Sequence, residues 1–148
     1  MDEEIEVDPQ REAMEHVISV LTPLREHRQA SAERALHRAK VDLAGMQEQL
    51  AQARENLTQE RDSQSARRQV LATAHLQQAM TLSKVDHWQE KERQMLDRLS
   101  RLHQDIDQLG LQIDQQKILL EGSHQTAKAR QRAVEKLACL SEALNEEG

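Results

Sequence analysis

The 148 residues contain no Phe and no Tyr, and Trp88 is the single Trp, so little is available to fill a broad core. Two Pro and four Gly leave long stretches without a breaker, which disfavours turn-rich β architectures. Cys139 stands alone and cannot form an internal disulfide, in agreement with a reducing compartment. No apolar run approaches the ~20 residues that a membrane span needs, and the acidic start lacks the positive end and apolar stretch of a signal peptide. A cytoplasmic protein with no membrane insertion is the expectation. A surplus of basic residues is also missing: Asp and Glu total 26 against 20 Lys and Arg. Five of the acids (Asp2, Glu3, Glu4, Glu6 and Asp8) fall in the first ten residues, leaving a nearly neutral body with its charges interleaved. Nucleic-acid binding through a basic face is disfavoured.

What remains is rich in Gln, Ala, Leu, Glu and Arg, the composition of long helices. Residues 1–8 carry acid but no helical period and read as a disordered tail. Asp8-Pro9 reads as a helix start, because Asp can cap free backbone N–H groups and Pro is tolerated at the first helical position. Met14, Val17, Ile18, Leu21 and Leu24 then follow at spacings of three and four and make one apolar stripe. Thr22-Pro23 repeats the cap-then-proline pattern inside that stripe, which predicts a short amphipathic helix over 9–21 and a break before a second start at 23.

Leu36, Leu43, Leu50 and Leu57 recur every seven residues, with Ala39, Met46 and Ala53 three positions after the first three. Met95, Leu99, Leu102, Ile106, Leu109 and Ile113 repeat the pattern downstream. A stripe held at 3.5 residues needs a partner helix wound around it. Between the two stretches, six of ten seam positions are polar, including Glu60, Gln64, Arg67 and Glu92, which argues against a continuous seam there. Beyond Ile113 the seam weakens, with Gln116, Ser123, Arg130 and Ser141 mixed among the apolar residues.

Two architectures fit this pattern. A shared heptad phase suits one long helix that dimerises in parallel. The polar middle, its cluster of Ser and Thr, and a loose capping pattern from Ser83 to Asp86 suit a chain that turns back on itself. The second is the reading adopted: an all-α, monomeric, antiparallel two-helix coiled-coil hairpin, with helices over 23–72 and 84–145 and a tip at 73–83. It places Leu57 near Met95 and Leu36 near Ile113 or Leu120.

Chemistry-bearing constellations are scarce. The seven His (16, 27, 37, 75, 87, 103 and 124) never stand three or four residues apart, so a metal site is not expected. Cys139 has no cationic setting apart from Lys136 and reads as an inert surface thiol. Neither a Gly-rich phosphate loop nor a nucleophile elbow occurs, so neither enzymatic activity nor a cofactor is expected. Gly45, Gly110 and Gly122 fall inside helical stretches, and Gly122-Ser123 suggests a bend. Around the turn, Val70, Leu71, Leu76, Met80, Leu82 and Val85 form either a partner-docking surface or a self-packed tip. Trp88 reads first as closing the end of the coil and second as a partner anchor.

From Met14 to Leu144 the chain resembles the small coiled-coil stalk proteins of type III secretion systems, the HrpO and YscO group, with FliJ as flagellar counterpart. The features carrying this are the overall length, the Arg-, Gln- and Glu-rich hairpin with its polar middle, and Trp88 ahead of the Leu/Ile run to Ile113. The opening Asp8-Pro9-Gln10-Arg11, through Val17-Ile18-Ser19-Val20-Leu21-Thr22-Pro23-Leu24, looks most like the plant-pathogen HrpO branch. The resemblance implies a non-enzymatic virulence-associated stalk or escort, cytoplasmic and peripheral to the export apparatus. Its implied partners are the secretion ATPase, the export gate protein and secretion chaperones. The tip residues Leu71, Leu76, Met80, Val85 and Trp88 would then face the gate. Terminal-helix residues Met14, Val17, Ile18, Leu21, Val134 and Leu137 would face the ATPase. The competing reading is a generic homodimeric coiled-coil scaffold or spacer.

Overall fold

A computed structural model describes residues 8–77 and 81–147, with the side chains of 75–77 outside that description. It is an all-α helical hairpin made of α1, Pro9–Gln77, and α2, Leu82–Glu146. The chain divides into two compact units: unit 1 pairs Met1–Asp42 with Lys117–Gly148, and unit 2 is Leu43–Gln116. The proposed acidic tail lies outside the described residues up to position 7, and Asp8 caps α1 as expected, its Oδ1 accepting from the Gln10 N–H at 3.0 Å.

The seam read from the sequence is the buried face. In unit 2, Leu57 and Ile113 are buried, and Leu43, Met46, Leu50, Met95, Leu102 and Leu109 are half-buried at the heptad positions. In unit 1 the buried residues are Ala39, Ala127 and Leu137. Burial of each large aliphatic side chain contributes on the order of 1.5–3 kcal/mol before chain entropy is subtracted. Two of unit 1's three buried seam residues are alanines, so each supplies less.

Several expectations need correction. First, the helix does not break at Thr22-Pro23; α1 runs through, with Pro23 inside it. Proline removes the N–H that would serve the Ser19 carbonyl, but Ser19 and Pro23 are both exposed, so water can take that place. The Thr22 hydroxyl donates to the Ile18 carbonyl at 2.7 Å, and α2 holds α1 on either side of the proline. Arg11 Nη2 donates to the Leu144 carbonyl at 2.7 Å and Arg25 Nη1 to the Ala133 carbonyl at 2.9 Å. Tertiary contacts therefore outweigh a local stop signal.

Second, the polar middle of unit 2 continues the seam in part: Glu60, Gln64 and Glu92 belong to it, whereas Arg67, Ala74 and Thr81 are exposed, as an interrupted seam predicts. Gln64 is buried at 5% exposure, and its Nε2 donates to the Met95 carbonyl at 3.1 Å. Glu60 and Glu92 are half-buried and pair across the helices with Arg98 (3.2 Å) and Arg68 (2.7 Å). Arg61 also meets His103 across the pair. Such solvent-edged ion pairs contribute about 0–1 kcal/mol each, so their main effect is to fix which residues face each other. Third, that register differs from the expected one. Counting along both helices from the Gln64 to Met95 bond sets Leu57 opposite Leu102, one heptad beyond the anticipated Met95. In unit 1 the Arg25 to Ala133 bond sets Leu36 opposite Gly122, which agrees with the expected Leu120 neighbourhood and not with the alternative, Ile113, which belongs to the other unit.

Helix α1 also extends past residue 72 to Gln77, and α2 starts at Leu82, two residues before the expected position. Thr81 makes that start: its carbonyl accepts from the Lys84 and Val85 N–H groups at 3.0 and 3.2 Å, and its hydroxyl accepts from Lys84 at 3.4 Å. α2 runs through Gly122-Ser123 without a break.

The Gln64 geometry makes a stability prediction. The Met95 carbonyl keeps its helical donor when the amide is removed, so Gln64→Leu leaves no backbone group unpaired and adds apolar burial. Urea unfolding should show a gain of about 1 kcal/mol. A loss of that size instead would mean that the amide bond holds the pair together energetically and not only in register.

Candidate docking surfaces

Unit 2 carries a groove of about 1010 Å³ where the helices approach the turn. Its apolar floor comes from Leu71 and Val70 on α1 and from Trp88 and Met95 on α2. Leu71 and Trp88 are seam residues, and both are half-buried. Val70, one residue beside the seam, is 68% exposed. The rim is cationic: Arg67, Arg68, Lys84 and Lys91 border the groove, against a single carboxylate, Glu92, which Arg68 already engages. An apolar slot with a positive rim suits an apolar segment flanked by acids.

Of the five tip residues expected from the sequence, Leu71 and Trp88 are brought together in this groove. Val85 is a half-buried seam residue that does not line it. Met80 lies outside the described residues, as does the side chain of Leu76, which belongs to α1. Periodicity set Met95 on the seam but could not bring it or the rim cations to this groove, because their approach depends on which turn of α1 faces which turn of α2.

Unit 1 carries a second surface. A shallow apolar groove of about 310 Å³ is lined by Met14, Val17, Ile18 and Leu21 of α1 and by Leu137 and Leu140 of α2, with Arg25 at its edge. Five of the six terminal-helix residues expected from sequence meet here or beside it, whereas Val134 is a half-buried seam position off the groove. Arg25 also borders an adjoining groove of about 430 Å³, lined by Arg28, Arg130, Arg132 and Lys136 over a floor of Ala129 and Ala133. Interleaved charge along each helix was expected to prevent such a gathering. Two helices in antiparallel register assemble it across the gap instead.

Elsewhere the side chains offer little chemistry. Cys139 is exposed, and among the described residues no three His, Cys, Asp or Glu side chains stand where they could hold a metal. Among those residues, too, no helix is long and apolar enough to cross a membrane. Searches against family models, curated proteins and solved structures returned no match to this chain.

Proposed function

We propose that the chain is a non-enzymatic interaction protein, a stalk or escort of a type III secretion apparatus that binds the secretion ATPase, the export gate and secretion chaperones. The observation supporting it is the apolar groove that Leu71, Trp88 and Met95 line among the described residues of a two-helix hairpin. Long helices transmit position while the groove supplies a contact, and the resemblance to the HrpO and YscO group gives that contact a place in an export machine.

Val70 gives the cleanest test, since its exposure means that a charge there costs the fold little. Val70→Asp should weaken binding to the isolated cytoplasmic part of the export gate at least tenfold in calorimetry, with helicity unchanged by circular dichroism. Equal affinity of variant and parent would remove the tip from the interface. Co-purification with the secretion ATPase and stimulation of its ATP hydrolysis test the stalk role separately.

A homodimeric scaffold is the second reading, favoured by Leu111 and Ile118, which are 64% and 73% exposed on α2. Light scattering decides between the two: a mass of 17.0 kDa fits a single hairpin, and twice that fits the scaffold.

A further inference from the structure

The two adjoining grooves of unit 1 share Arg25, and together they present one surface with an apolar half and a cationic half. Leu21 and Arg28 lie one heptad apart on α1, and Ala133 and Leu140 one heptad apart on α2, so both halves open on the same face. From Met14 to Arg28 the surface runs about 21 Å, the length of roughly four helical turns.

We infer that this face is the seat of a partner's amphipathic helix whose apolar side continues into a cluster of carboxylates. Three observations select that occupant. The cationic half holds Arg25, Arg28, Arg130, Arg132 and Lys136, lined by no carboxylate, and none of the five makes an ion pair among the described residues. On a chain of net charge −6 this is a local surplus of the opposite sign, available to anionic side chains. Arg25 is half-buried and held in place by its Nη1 bond to the Ala133 carbonyl, which leaves its remaining guanidinium donors for a ligand.

The apolar half excludes the other classes. Met14, Val17 and Leu140 are each about half exposed (47%, 52% and 48%) and give a phosphate backbone nothing to bond. No aromatic side chain lines either groove, so bases would have no surface to stack on. A strand has no edge to join here, because both walls are helices with their backbone groups bonded internally. A third helix laid between the two fits, its ridges entering the gaps left by Ala129 and Ala133.

The inference does not depend on the secretion reading, and its test uses a synthetic probe. An 18-residue fluorescein-labelled peptide carries Leu at helical spacing over its first three turns and four Glu in the last two; fluorescence anisotropy follows its binding to the full-length chain. Expected are saturable binding, an at least tenfold loss when the four Glu become Gln, and a similar loss with the chain variant R28E/R132E. Leu140→Asp should cost as much from the apolar half. Circular dichroism on each variant separates lost binding from lost structure, and amide shifts confined to 14–28 and 130–140 in the parent locate the peptide without any variant. Equal affinity for the Gln peptide overturns the proposal, as does displacement of the peptide by a single-stranded 20-mer oligonucleotide at lower concentration than by unlabelled peptide. A parent chain that is dimeric and becomes monomeric on Leu140→Asp also overturns it, since a second copy would then be the occupant.

Discussion

Ile113→Ala should lower the stability of the hairpin by about 2–4 kcal/mol. Ile113 is 5% exposed, and with Leu57 (7%) it supplies the deeply buried aliphatic volume of unit 2. A globular protein would share such a loss among many neighbours. A two-helix pair cannot collapse sideways onto a vacated methyl group, because no third layer exists to move in. With a total stability of roughly 5–15 kcal/mol for a chain of this size, one such cavity removes a substantial fraction. The thermal midpoint should fall by about 10 °C, and Ile113→Asp, which adds the cost of a buried charge, should leave unit 2 unfolded at 37 °C. Ile118 is the control: it is 73% exposed, and Ile118→Ala should stay within about 0.5 kcal/mol of the parent. If both variants melt alike, the buried face has been assigned to the wrong stripe of α2.

That stripe was legible because it depends on one number, the 3.5-residue period, carried by every heptad from Leu36 to Leu57 and from Met95 to Ile113. Helix starts at Asp8 and near the turn were legible to within two residues, since caps are local. Pro23 misled because its local cost is fixed while the offsetting contacts lie more than a hundred residues away, at Ala133 and Leu144. Gln64, Glu60 and Glu92 misled for the same reason: each reads as a fault in an apolar seam until its partner on the other helix is known. The candidate surfaces divide along this line. Leu71 and Trp88 could be singled out as seam residues near the turn, and Met14 and Val17 as part of an apolar stripe at the start of α1. The cations beside them required the register. Arg25, Arg28, Arg130 and Arg132 become one group only when Ala133 is set across from Arg25.

Replacing Gly45, Gly110 and Gly122 together by Ala should stabilise the chain by about 2 kcal/mol and raise its melting midpoint by about 5–10 °C. Each glycine lies inside α1 or α2, and none adopts a positive φ, so an L side chain meets no backbone strain. A methyl group at each position meets nothing within 4 Å. With no crowding to oppose it, the change acts through the unfolded chain, where alanine has less freedom to lose, at roughly 0.4–1 kcal/mol per site. The three single variants should therefore sum to the triple variant. The same experiment bears on function. Because α2 passes Gly122-Ser123 without a break, stiffening it should leave probe binding at the unit 1 face unchanged while thermal stability rises. If the triple variant melts higher but loses peptide affinity tenfold, that face must distort to accept its helix, and glycine at 122 is present for compliance.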